Sequence, residues 1–324
     1  YAGLGELSAF PVVNKRLIAS DPEQFHSDRF EADELVKVHT SGSYGTPLTF
    51  RLTRAKKKRQ HAEVFFYGNK CGFNIGCRYG YFRSVSAKSG FKRWRQNESF
   101  FASKRLDDTF VERSLKLLKV KRPGFLVGFP SAISFLADRC LGLGYKPDDF
   151  AVRGVITQSE NLTKYHREVI RKAFGSEVCN RYSTEELGVL GCEYTLGEGF
   201  GLNCCNYIVE VLALESDRSV GVGELGRIVV TDLHSNAMPL VRYETGDLGV
   251  VGSFLDSGRG WVATLKALSG RVMQMISDTN GTPLYPLYFD NIMDQFDCFS
   301  QYQLIQTSAA TYSINLVLNQ SSGA

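Results

Sequence analysis

Residues 125–184 run FLVGFPSAISFLADRCLGLGYKPDDFAVRGVITQSENLTKYHREVIRKAFGSEVCNRYST, and the order of elements within this stretch decides the fold. The segment 125–129 is a short apolar run between Gly124 and Pro130, which reads as a buried strand. Pro130 opens a helix over 131–141 that turns Ile133, Leu136, Ala137 and Cys140 to one side and stops at Gly142 and Gly144. Residues 152–158 predict a second strand. Thr163 caps a helix over 164–174, with Tyr165, Val169, Ile170, Ala173 and Phe174 inward and Gly175 as its stop. Residues 177–182 predict a third strand. Crossovers of this length join parallel strands, so the fold class is α/β.

Working outward, 107–119 predicts a further helix with apolar residues at 110, 111, 115 and 118. Beyond 205 the texture becomes β-rich and punctuated by glycine, at 207–214, 226–233 and 262–267. Pro283 and Pro286 precede a helix-like stretch over 287–296, and 304–307 and 312–318 read as strands. The expected organisation is a large domain over 1–270, with a parallel α/β core over 105–200 and a β-rich part over 205–267. A small α+β domain over 271–324 follows and reads as incomplete.

The chain has 324 residues, 43% hydrophobic and 22% charged, enough apolar material for a core of about two domains. Nothing reaches the roughly 18 apolar residues of a membrane span, and the first ten residues lack the pattern of a leader. Eight irregularly spaced cysteines point to reduced thiols in a cytoplasmic protein. The net charge of +4 hides an asymmetry. Residues 51–122 hold twenty Lys/Arg against five Asp/Glu, a balance of +15, and the remainder, eighteen against twenty-nine, stands at −11. Such a segment suits a polyanionic partner, either a phosphate-rich small molecule or nucleic acid, or else is a solvated surface.

Three polar elements carry chemistry. Thr40-Ser41-Gly42-Ser43-Tyr44-Gly45-Thr46-Pro47 is a small-residue loop whose hydroxyls and free N–H groups suit phosphate oxygens, or a plain surface loop. It is not a Walker A loop, since no Gly-Lys-Ser/Thr follows. In parallel sheets ligands bind outside the carboxyl ends of the strands, where Gln158-Ser159-Glu160 and Ser183-Thr184-Glu185-Glu186 fall. In Tyr182-Ser183-Thr184-Glu185 an aromatic suits a base, a hydroxyl a phosphate and a carboxylate Mg2+; the alternative is a capped strand end. The third, 239–248, contains Gly246-Asp247, where a carboxylate in a turn suits two ribose hydroxyls or simply a hairpin.

Taken together and in this order, the chain resembles the ANL superfamily of adenylate-forming enzymes, in the branch of phenylacetate–CoA ligase and the capsular-polysaccharide-biosynthesis adenylating proteins. The loop matches Thr-Ser-Gly-Ser/Thr-x-Gly-x-Pro, and 154–161 resembles the strand and Ser-Glu turn beside adenine. Residues 182–185 resemble the aromatic-x-Thr-Glu motif, while 236–248 are the most specific match. Ser269-Gly270-Arg271 resembles the opening of the mobile C-terminal domain, and the likeness covers 8–319. The resemblance implies attack of a carboxylate on ATP to give acyl-AMP and pyrophosphate, then transfer to coenzyme A, a carrier-protein thiol or an amine. It implies that Thr40, Ser41, Gly42, Ser43 and Gly45 hold phosphates and that Ser159 and Glu160 line the adenine pocket. Tyr182 would stack on the base, Thr184 would contact the α-phosphate and Glu185 would bind Mg2+. Asp247 would hold the ribose and Arg271 would reach ribose or phosphate. On this reading 51–122 receives phosphates of ATP or coenzyme A, while 128–131 and 79–82 line an acyl pocket or fill the core.

The pattern departs from the family at Thr46, where a lysine is usual, and at Met273 followed by Gln274, where the hinge is usually charged. No counterpart of the family's C-terminal catalytic lysine occurs in the 53 residues after Arg271. Cys192, Cys204 and Cys205 with His234 are a conceivable zinc set, but no CxxC pair occurs, which favours buried unliganded cysteines. His39 reads as a packed histidine, or else as one that orients the loop it precedes, and His166 as lying on the polar side of its helix. The competing functions are a catalytically silent nucleotide-binding scaffold and a basic nucleic-acid binder, with nucleic acid the unfavoured partner.

Overall fold

The computed structural model describes residues 4–40, 48–84, 88–193, 197–256, 261–271, 276–284, 289, 292–293, 295–296 and 298–318. The chain divides into two compact units, Tyr1–Cys71 with Arg181–Ser269, and Gly72–Asn180 with Gly270–Ala324.

The second unit contains residues 125–180, most of the stretch that decides the fold. Strands Glu98–Ala102, Tyr79–Arg83, Phe125–Gly128 and Gly154–Gln158 lie side by side in that order, all parallel. The crossover helices are Asp108–Lys121, Pro130–Gly142 and Lys164–Phe174. Their ends follow from the residues there. Asp107 accepts the N–H of Phe110, Thr163 accepts the N–H of His166, and Gly175 closes the last helix in the left-handed conformation. Ile133, Leu136, Ala137, Ile170, Ala173 and Phe174 turn inward onto Phe82, Phe101 and Leu126. The aromatic stretch at 79–82 is thus an inner strand beside the edge strand Glu98–Ala102, and Phe82 stacks on Phe101 with ring centroids 4.4 Å apart. Gly80 is required there, because a Cβ would come within 2.6 Å of the Phe101 ring.

One expectation in this unit is corrected. His166 is buried, not on a polar face, because it stands three and four positions before Val169 and Ile170, on the inward face of its helix. Toward the C-terminus, Phe299–Ser308 pairs antiparallel with Thr311–Leu318, and the helix-like stretch at 287–296 lies largely outside the described residues.

The first unit holds a hairpin, Val36–His39 with Thr49–Leu52, followed by the helix Arg54–Lys70. Strands Tyr207–Leu212, Leu225–Asp232 and Tyr243–Val251 form an antiparallel meander. Phe50, Leu52, Leu190, Ile228, Val230, Met238, Leu240 and Tyr243 fill its core. Residues 239–248 therefore do not form a hairpin turn, because Gly246 and Asp247 are absorbed inside a strand. The residues of the basic stretch are divided between the two units, and not all of them are surface: Lys56 is 2% exposed, with its Nζ 2.6 Å from Asp232. Among the described residues no helix is long and apolar enough to cross a membrane.

Candidate active site

In the first unit a bulge re-aims Asp247. Arg227 pairs with Leu248 and Val229 with Glu244, so three residues, Thr245, Gly246 and Asp247, face Ile228 alone. Gly246 supplies the positive φ of 83° that such a bulge needs. The Thr245 hydroxyl donates to the Ile228 carbonyl at 3.1 Å and accepts the Asp247 N–H at 3.1 Å, tying the bulge on both sides. Tyr182 reaches it from strand Val178–Thr184, and its hydroxyl donates to Asp247 Oδ2 at 2.8 Å. Burial, and then the Asp247 charge, push the Tyr182 hydroxyl well above its ordinary pKa, so it stays protonated and keeps donating. Tyr182 is only 7% exposed.

The strand carrying Tyr182 ends at Thr184, whose hydroxyl accepts the Leu187 N–H at 3.2 Å and closes a tight turn. Glu185 points outward and is exposed, whereas Glu186 is 2% exposed. Glu186 accepts from the Tyr243 hydroxyl at 2.8 Å and lies 3.3 Å from Lys15 Nζ. The two carboxylates thus sit in opposite environments, Glu186 buried among partners and Glu185 exposed. Lys57 faces Glu185, and burial lowers its pKa while the Glu185 charge opposes that shift. An exposed carboxylate next to a hydroxyl is a hard oxygen donor set that fits Mg2+, which takes one or two carboxylates beside substrate phosphates.

Ahead of these elements, Thr40 donates its N–H to Leu48 O at 3.0 Å and accepts the Leu48 N–H on its hydroxyl at 3.2 Å. This staple closes the base of the small-residue loop, whose members Ser41, Gly42, Ser43 and Gly45 lie outside the described residues. His39 is exposed rather than packed, because it stands on the open side of the hairpin with Nδ1 3.0 Å from the Thr49 hydroxyl.

In the second unit Ser159 ends strand Gly154–Gln158 in the left-handed region at φ 70°, unusual for a serine, and leaves both Ser159 and Glu160 exposed. Glu160 accepts the Ser131 N–H at 3.2 Å, which sets a carboxylate on the first turn of helix Pro130–Gly142. Beside them Gln158 donates to the Tyr81 hydroxyl at 3.3 Å. Arg271 closes strand Thr264–Arg271, with its side chain outside what is described, and Met273 and Gln274 lie outside the described residues.

The zinc set is not assembled. Among the described residues no group of three ligating atoms includes Cys204, Cys205 or His234. Cys204 and Cys205 are exposed, against the expectation of burial, because they lie in the turn before strand Tyr207–Leu212. Cys192 is buried with its Sγ 3.7 Å from that of Cys71, and burial pushes its thiol up to about 12. Cys77, Cys140, Cys192, Cys204, Cys205 and Cys298 are free, but Cys71 and Cys179 are not, which corrects the expectation of reduced thiols throughout.

Thus Tyr182 and Asp247 are brought together in one unit, with Thr184 next to Glu185 at the end of the Tyr182 strand, and Ser159 with Glu160 in the other. Sequence reading placed Glu186, Tyr243 and Thr245 inside its polar elements without giving them a role, and did not single out Lys57. A Thr one residue before a Gly-Asp pair is the only local signal that pointed to the bulge.

No family model matches the chain. It is 22% identical over 268 residues to phenylacetate–coenzyme A ligase of Pseudomonas putida and 26% over 265 residues to the ligase of that name from Thermus thermophilus. It is 24% identical over 256 residues to Protein CapK of Staphylococcus aureus. These alignments take in 76, 76 and 75% of this chain and 57, 57 and 54% of the relatives, so the chain spans a little over half their length. Among solved structures, 2-hydroxyisobutyryl-CoA ligase in its postadenylation state with 2-HIB-AMP superposes with a TM-score of 0.80 at 18% identity, over 99% of this chain and 71% of that one. ATP-bound MatB from Rhodopseudomonas palustris gives 0.62 at 18% identity, over 89% and 58%. The mixed α/β fold is the one those ligases share.

Proposed function

We propose that this chain, whose fold and relatives are those of the ANL adenylate-forming ligases, activates a carboxylic acid with ATP and passes the acyl group to coenzyme A. The reading rests chiefly on the match of 99% of the chain to a ligase crystallised with an acyl-adenylate. Relatives called phenylacetate–coenzyme A ligase support the thiol acceptor over a carrier-protein thiol or an amine. The match to ATP-bound MatB supports ATP as co-substrate, and a need for ATP and coenzyme A favours a cytoplasmic location.

In the first step a carboxylate oxygen bonds to the α-phosphorus, the α–β phosphoanhydride bond breaks and pyrophosphate leaves. In the second, the thiol sulfur bonds to the acyl carbon, AMP leaves and the thiol proton passes to solvent. The barrier to the first step is charge, because an anion approaches a polyanion. Asp247 holds the ribose hydroxyls, with its carboxylate aimed by Tyr182 and the bulge. Tyr182 also offers its ring to the base. Thr184 contacts the α-phosphate and Glu185 holds Mg2+, which when bound neutralises phosphate charge. Thr40, Ser41, Gly42, Ser43 and Gly45 bind phosphates, Ser159 and Glu160 border adenine, and Arg271 reaches ribose or phosphate.

The test is carboxylate-dependent ATP–pyrophosphate exchange over a panel of arylacetic and short 2-hydroxy acids. Exchange with at least one acid, lost in Asp247→Ala, is expected. No exchange with any acid, together with no binding of Mg-ATP, overturns the reading.

A further inference from the structure

Helix Arg54–Lys70 buries the wrong residues for an ordinary surface helix. Lys56, Gln60 and Glu63 recur at the spacing of one helical face, and they are 2, 5 and 4% exposed. An inward face of a lysine, an amide and a carboxylate carries a desolvation cost unless every polar group is matched. Here the partners converge on one short piece of backbone. Gln60 Nε2 donates to the carbonyls of Glu185 and Glu186, both at 3.3 Å, and Lys57 Nζ donates to Gln60 Oε1 at 2.9 Å, which fixes the orientation of the amide. Glu63 accepts the Val189 N–H at 2.9 Å and the Asn206 amide at 2.8 Å. The Tyr207 hydroxyl lies between Glu63 and the Leu187 carbonyl. Lys56 donates to that hydroxyl at 3.1 Å and pairs with Asp232. The fit leaves no slack, since a Cβ on Gly188 would lie 2.3 Å from Glu63 Oε2 and 2.9 Å from the Tyr207 hydroxyl.

We propose that Lys56, Gln60 and Glu63 are positioning residues that clamp the backbone of 185–189 and thereby fix the Thr184 hydroxyl and the Glu185 carboxylate for magnesium and nucleotide phosphate. This rests on the ATP reading above. The helix follows directly on strand Thr49–Leu52, whose hairpin carries the small-residue loop. One element therefore ties strand Thr49–Leu52 to the proposed metal turn, an arrangement that supports residues through the groups behind them.

Two measurements on the whole chain test this. Hydrogen exchange without ligand reads the clamp itself. Gln60→Met is nearly isosteric and removes both donors, and Glu63→Gln is a second variant. Exchange across 185–189 is expected to rise about tenfold in each, with the rest of the first unit unchanged. Calorimetric titration of ATP at stepped Mg2+ concentrations reads the consequence. The Mg2+ concentration for half-maximal ATP binding is expected to rise about tenfold while the melting transition stays cooperative. Glu215→Gln, on an exposed turn elsewhere in the first unit, should leave both at wild type. Unchanged exchange at 185–189 overturns the clamp. Faster exchange with an unchanged Mg2+ midpoint overturns its role in positioning. Failure of the wild type to bind Mg-ATP overturns the nucleotide reading and this role with it, and the exchange result still tells the two failures apart.

Discussion

The hydroxyl of Tyr182 donates to Asp247 Oδ2 at 2.8 Å across 65 positions of sequence. The contact needs two local irregularities. Asp247 leaves the regular pleat only because Gly246 takes a φ of 83°. The Tyr182 hydroxyl remains a donor because burial keeps it protonated. Charge-assisted bonds of this kind are worth about 1.5–3 kcal/mol, enough to fix a carboxylate's rotamer.

Tyr182→Phe should therefore weaken ATP binding about tenfold, and Asp247→Ala should lose more, the two being less than additive in the double variant. Calorimetry on the four proteins reads this. If Tyr182→Phe binds ATP as the wild type does, the hydroxyl has no part in aiming Asp247.

Glu185 and Glu186 are neighbours with opposite environments, and their variants should separate. Glu186→Gln strips charge from a buried site shared with Tyr243 and Lys15, so urea unfolding should show a loss of about 2–3 kcal/mol. Glu185→Gln, on an exposed side chain, should leave the unfolding curve in place and raise the Mg2+ needed for ATP binding. The reverse pattern would move the proposed metal ligand to Glu186.

The parallel half of the fold was legible because Val169, Ile170, Ala173 and Phe174 bury at helical spacing and Thr163 and Gly175 punctuate them. Tyr182, Thr184, Glu185 and Asp247 were legible as an ordered set of motifs. What the sequence hid was polar matter facing inward. Lys56, Gln60 and Glu63 sit among charged neighbours and read as solvated, because their partners lie more than a hundred residues downstream. The strand at 243–251 was hidden likewise, since Gly-Asp is ordinarily a turn and only pairing to 225–230 converts it to a bulge.

Gly188→Ala tests the packing of the turn. Gly188 stands at φ 119°, where a side chain is strained, and its Cβ would meet Glu63 Oε2 at 2.3 Å. A loss of about 2–4 kcal/mol in urea unfolding is expected. Gly197→Ala is the control. Its φ of 81° carries similar strain but nothing lies within 4 Å of the added atom, so it should cost about 1 kcal/mol. Equal losses would mean that the backbone angle, and not the crowded polar face, sets the cost at 188.

His166 predicts an acid-sensitive term in stability. Burial pushes its pKa down to about 4 from 6.5, a backbone contact from Asn161 offsetting part of the shift. The folded chain holds the ring neutral while the unfolded chain takes up a proton below pH 6.5, so stability falls with pH in that window and levels off near pH 4. At pH 7.5 the histidine contributes nothing to the dependence, and by pH 5 it should have removed about 2 kcal/mol. His166→Leu keeps the site apolar and cannot protonate. Urea unfolding at both pH values should show the variant losing about 2 kcal/mol less than the wild type over the same interval, whatever its stability at pH 7.5. An identical fall in the two proteins would show that His166 takes up its proton as readily in the folded chain as in the unfolded one.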